Sequence, residues 1–121
     1  MNLKFERALK EDELIKKIID KLGWNYLNTT QIKCVKSYNS VSRKKSRVFG
    51  TQKIFTDVFK ITPGYVIELI EPNFSKLSEE DKVKELVLKL MFIPKTFSGE
   101  TKKFLKININ EFEKQINKVL N

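Results

Sequence analysis

The sequence predicts a single α+β domain, a small mixed sheet with about four helices, and three observations carry that expectation. A short β-branched run at residues 65–71 reads as a strand, apolar residues recur at three- and four-residue spacing in four separate segments, and no low-complexity linker divides the chain. With 121 residues, 40% of them apolar and nine of them Phe, the chain is long enough to enclose one core and short of the usual two-domain size. Residues 1–121 are therefore read as one domain.

The first helical segment is marked by Leu9, Leu14, Ile15, Ile18, Ile19 and Leu22, with Lys16, Lys17, Asp20 and Lys21 on the other face, and Gly23 is placed to close it in a left-handed conformation. Trp24, Tyr26 and Leu27 then cover the end of the core. Residues 31–36 read as a strand with Ile32, Cys34 and Lys36 on one side and Lys33 and Val35 on the other. The segment SYNSVSRKKS is polar, basic and rich in Ser, and reads as a loop before a second strand at 47–50. Ile54, Phe55, Val58 and Phe59 fall at helical spacing over 53–60.

Thr62-Pro63-Gly64 is a turn, and residues 65–71 are the clearest strand, placed centrally because Val66, Ile67, Leu69 and Ile70 leave little that prefers water. Pro72 ends it. Ser78 with Asp81 resembles a capping box, so a helix is expected from there to Phe92, with Val83, Leu86, Val87, Leu90 and Met91 as a broad apolar stripe and Leu88 and Phe92 on its flank. Ile93-Pro94 ends that helix. Asn110 with Glu113 repeats the cap pattern ahead of Phe112, Ile116, Val119 and Leu120.

Charge is unevenly distributed. The net charge is +9, and residues 1–60 hold 14 basic and 6 acidic side chains against 10 and 9 in the remainder. Residues 31–60 hold Lys33, Lys36, Arg43, Lys44, Lys45, Arg47, Lys53 and Lys60 against Asp57 alone, a concentrated positive field that attracts phosphates or acidic surfaces. Cys34 is the only cysteine, which excludes an intrachain disulfide and a Cys-built zinc ribbon. There is no histidine, so Cys34 has no partner for a Cys–His dyad. The charged N-terminus lacks the apolar core of a signal peptide, no run approaches a membrane span, and a cytoplasmic location with no membrane partner is expected.

The stretch YVIELIEPNFSKLSEEDKVKELVLKLMFIPKTFSGE resembles a family of small metallopeptidase-like proteins found in archaea and phages, in which a strand of the type YVIEVI precedes a helix bearing H-E-L-L-H and then IPKTFSG. The likeness extends over roughly residues 12–121 and includes SYNSVSRKKSRVFG; its specific part is Ile93-Pro94-Lys95-Thr96-Phe97-Ser98-Gly99. The resemblance implies a minimal zincin-like core. It places Leu88 at the first motif histidine, Lys89 at the glutamate and Phe92 at the second histidine, with a third histidine expected where residues 100–104 stand.

Two imidazoles at i and i+4 lie on one helical face around a single zinc, with the intervening Glu as base for bound water. Leu and Phe cannot ligate, and Lys repels a divalent cation. A degenerate member is expected, with no cofactor, no catalytic residue and no enzymatic activity, its vacated positions refilled by Leu88 and Phe92 as core.

Among the carboxylates Glu68, Glu71, Glu79, Glu80, Asp81 and Glu85, which could offer an acid–base pair, Glu79 to Asp81 are read instead as a favourable helix N-terminus and Glu85 with Lys89 as a surface pair. The function expected is a binding module for RNA, DNA or a ribonucleoprotein particle such as the ribosome. Lys33, Lys36, Arg43, Lys44, Lys45 and Arg47 would be its phosphate contacts, with Tyr38 and Phe49 nearby for stacking. A hydrolase with an unrecognised site and a partner of an acidic protein are the rivals.

Overall fold

In the computed structural model, which describes residues 2–121 and leaves Met1 outside them, four strands form one mixed sheet with a helical layer on one face. The strands are β1 (Lys4–Arg7), β2 (Ile32–Tyr38), β3 (Ser46–Gly50) and β4 (Tyr65–Ile70); the helices are α1 (Leu9–Leu22), α2 (Lys53–Phe59), α3 (Glu79–Leu90) and α4 (Ile109–Leu120). The α+β class and the four helices are as the sequence predicts.

The spatial order is β1-β2-β4-β3, with β2 and β4 parallel and the two outer pairs antiparallel. β4 is central because its residues are the least compatible with water: Tyr65, Ile67, Leu69 and Ile70 are all enclosed. The register sets Ile32 beside Tyr65, Cys34 beside Ile67, and Val48 on the other side of Ile67, so one sheet face presents a continuous apolar surface. Against it pack Ile15, Ile18, Ile19 and Leu22 of α1 and Val83, Leu86, Val87 and Leu90 of α3. Ile116 and Val119 of α4 complete the layer between them.

Helix ends follow local chemistry. Gly23 closes α1 at φ 67°, and Ser78 Oγ accepts from the Asp81 amide at 3.1 Å to start α3. Three expectations change. A strand the sequence did not signal, β1, adds to the edge of β2, with all four of its residues exposed. The cap of α4 is Asn108, whose side chain accepts from the Glu111 amide at 3.1 Å, so the cap lies two residues before the expected Asn110. Leu9 does not belong to the buried stripe of α1; it is exposed, and Glu11 is buried instead.

The two segments that carry the family resemblance meet physically. The Tyr65 hydroxyl accepts from the Gly99 amide at 2.8 Å and donates to the Glu100 carbonyl at 2.7 Å, and the Phe97 ring meets the Tyr65 ring edge-on at 5.0 Å. Gly99 is at φ 95°, and a side chain there would strike the Thr51 carbonyl oxygen. The IPKTFSG segment therefore clamps the end of α3 onto the start of β4 and the end of β3.

Candidate nucleic-acid interface

The basic loop between β2 and β3 is held by its backbone while its cations point outward. Asn73 Nδ2 donates to the Lys44 carbonyl at 2.8 Å and the Ser42 carbonyl at 3.2 Å, and the Ile70 amide donates to the Lys45 carbonyl at 3.0 Å. The Ser40 and Ser42 hydroxyls accept from the Ser42 and Lys44 amides, the local turns that Ser favours. The Ser-rich composition that reads as a loop thus builds an ordered one. Arg43, Lys44 and Lys45 project from it exposed.

These side chains line one wall of a cleft of about 560 Å³ between the edge strand β3 and α3. The opposite wall carries Glu85, Lys89 and Phe92 of α3 and its end, and Thr101 and Lys102 from the segment that follows Gly99. The Lys102 amide donates to the Phe92 carbonyl at 2.8 Å, which draws that segment to the end of the helix. Two of the three degenerate motif positions and the stretch where a third ligand is expected therefore share the cleft with the basic loop. Leu88 does not line it.

The donor set does not fit a zinc ion. Phe92 offers a hydrocarbon ring to the cleft, Leu88 a half-buried aliphatic chain, and the Lys89 ammonium sits over the Phe92 ring at 5.6 Å. Among the described residues no three His, Cys, Asp or Glu side chains come together to hold a metal. The expectation that Leu88 and Phe92 refill the vacated site as core is corrected: both are only partly buried, Phe92 because it lines a cleft open to water, and Leu88 on the flank of α3 outside that cleft. The expected Glu85–Lys89 pair is also absent among the described ion pairs; Glu85 instead accepts from Ser46 Oγ at 2.6 Å.

The six cations singled out in the sequence separate into two groups. Arg43, Lys44, Lys45 and Arg47 are together in the cleft, whereas Lys33 and Lys36 lie elsewhere on β2 and, being three residues apart, point to opposite faces. Lys36 lies 3.9 Å from the buried Glu71 carboxylate. Arg47 is also committed: its Nε and a terminal nitrogen donate to the two oxygens of Glu68 at 2.9 and 3.1 Å, a bidentate pair with a buried partner. Its guanidinium also lies 5.8 Å from the Phe49 ring centre.

Arg43, Lys44, Lys45, Lys89 and Lys102 have no carboxylate partner within ion-pair distance among the described residues. Lys89 and Lys102 are cleft cations that sequence reasoning did not place with the basic loop. Lys89 was legible as a lost glutamate and as a surface partner of Glu85, and Lys102 sits in a half of the chain whose charges nearly balance. Tyr38, singled out for stacking, does not line the cleft; Phe49 does and is half-exposed.

No helix among the described residues is long and apolar enough to cross a membrane. Comparison with curated proteins and with solved structures gave no match. Residues 3–119 match the family described as "Putative phage metallopeptidase", and the protein, matched over nearly its whole length, belongs to that family.

Proposed function

We propose that the protein is a catalytically inactive member of its family that binds nucleic acid, free or within a ribonucleoprotein, in the cleft between β3 and α3. One observation carries the reading: five cations without carboxylate partners and two aromatic rings, Phe49 and Phe92, converge on the cleft that also holds the degenerate motif positions. Uncompensated cations around a concave surface raise the local positive potential and attract phosphates, and the half-exposed Phe49 ring, with the partly buried Phe92 ring opposite, offers aromatic surface to bases. Lys89 replaces the expected general base with a positive charge at the same place. A site that repels a divalent cation and has lost the motif's base is unsuited to the family's activation of water, with Glu85, the carboxylate in the cleft wall, engaged by Ser46 Oγ, while the same substitution favours an anionic ligand.

Titration of labelled RNA and DNA at several salt concentrations tests this. Binding is expected to weaken steeply with salt, and Arg43→Ser/Lys44→Ser/Lys45→Ser to weaken it further while flattening the log–log slope by about 0.7–0.9 for each phosphate contact removed. The purified chain is expected to retain no stoichiometric zinc after dialysis and to hydrolyse no peptide. Absence of binding at low salt, or an unchanged slope in the triple variant, rejects the cleft as a nucleic-acid site.

A further inference from the structure

The cleft does not end at Lys102. The same side chain lines a second hollow of about 640 Å³ whose walls include Trp24, Tyr26, Lys95, Phe104 and Lys106. No carboxylate belongs to that lining, and Lys95, Lys102 and Lys106 have no ion-pair partner among the described residues. Phe104 is 86% exposed, with almost none of its ring removed from water. In the sequence these groups are scattered over more than eighty positions; the turn after α1 and the segment after Gly99 bring them together at the end of α3.

We infer that the two hollows are consecutive subsites of one track for single-stranded nucleic acid, the strand passing from the basic loop across Lys102 to Phe104. This rests on the nucleic-acid reading of the first cleft. The physical argument is repetition of the same pairing: each hollow offers cations for phosphates beside an aromatic ring for a base, and the two share one lysine. A duplex keeps its base faces stacked inside and presents only phosphate and groove edges, so it cannot use Phe49, Phe92 and Phe104 together, whereas an unpaired strand can. The hollows differ in origin. The first holds two of the three positions of the family's motif residues; the second holds none of those three, touches the motif span only through Met91, and takes Lys95 from the IPKTFSG segment.

Trp24 is the only tryptophan in the chain, so its emission reports on the second hollow alone. Oligothymidylates and oligouridylates of about four and about twelve nucleotides, spanning one subsite or both, are the probes. Their binding is followed by anisotropy of labelled strands and, separately, by Trp24 emission with unlabelled ones. The longer strand is expected to bind at least about tenfold tighter than the shorter and to quench Trp24 with the same midpoint as the anisotropy. Lys95→Ser/Phe104→Ala/Lys106→Ser is expected to weaken the longer strand at least about tenfold while the shorter keeps its affinity within about twofold, which also shows that the variant is folded.

Binding without a change in Trp24 emission, or a variant that holds the longer strand as wild type does, overturns the track and leaves the first cleft standing. Equal competition by a duplex of the same length overturns the single-strand assignment. Equal quenching by polyglutamate overturns the nucleic-acid assignment of the hollow in favour of an acidic polypeptide. If no nucleic acid binds at low salt, the function proposed for the first cleft fails and the track falls with it.

Discussion

Arg47 belongs by sequence to the basic run, yet its donors are directed at Glu68, which is buried at 2% exposure. Removing a partner from such a pair leaves a carboxylate without its counter-charge away from water. Arg47→Ala is therefore expected to cost about 2–4 kcal/mol by chemical denaturation, at or below the range for a fully enclosed pair because the Arg47 side chain is 35% exposed. Arg47→Met with Glu68→Leu should recover most of the loss; a single variant as stable as wild type would show the pair to be dispensable. Cys34 makes a second case. Burial, reinforced by the nearby Asp12 and Glu11 charges and by the Asp12 side chain, raises its thiol well above the usual range. The native thiol stays protonated when the unfolded one ionises, so this contribution is complete below the unfolded thiol's pKa of about 8.5 and declines as pH rises above it. A disulfide reagent is expected to leave native Cys34 unmodified at pH 8 and to label it only on unfolding; rapid native labelling would contradict its enclosure.

At the scale of elements, residues that read alike in the sequence separate by position. Leu90 is fully enclosed and Leu88 only half-buried, so Leu90→Ala is expected to cost about 2–5 kcal/mol and Leu88→Ala less than half as much. Asn108→Ala should cost about 1 kcal/mol and Asn110→Ala only a few tenths, since Asn108 alone makes the cap hydrogen bond; equal effects would place the helix start elsewhere. The misplacement of that cap has a plain cause. Asn108 with Glu111 and Asn110 with Glu113 are two overlapping copies of one signal, and only the packing of Ile116 and Val119 between α1 and α3 chooses between them. The strands β2, β3 and β4 were legible because their apolar residues meet a core, whereas β1 reads Lys-Phe-Glu-Arg and is held by backbone pairing to β2, which leaves no pattern in its side chains. The basic half of the cleft was legible as a charge cluster contiguous in sequence. Lys89 and Lys102 were not, because they reach it through the fold of α3 and the turn around Gly99.

Across the whole molecule the buried contacts are concentrated between one sheet face and α1, α3 and α4, and α2 lies outside that layer. None of the seven residues of α2 is buried, and Ile54, Phe55, Val58 and Phe59 are all exposed although their spacing is that of a core-facing helix. Phe55 and Phe59 stack on each other at 6.0 Å, and Lys53 pairs with Asp57 at 2.6 Å, so the helix is held mainly by contacts within itself. A helix this short is unstable alone, since nucleation is costly and isolated helices below about 12–15 residues are marginal. Its local opening is therefore expected to need far less free energy than global unfolding. Hydrogen exchange read by mass spectrometry should find the amides of residues 53–59 exchanging at least about a hundredfold faster than those of α1 and α3, equivalent to roughly 2.7 kcal/mol less protection. Phe59→Ser should shift global stability by no more than about 0.5 kcal/mol, the usual effect at an uncommitted surface position. If residues 53–59 are instead protected as strongly as α3, and Phe59→Ser abolishes that protection in a concentration-dependent manner, the apolar face of α2 is covered in solution by a second copy of the chain.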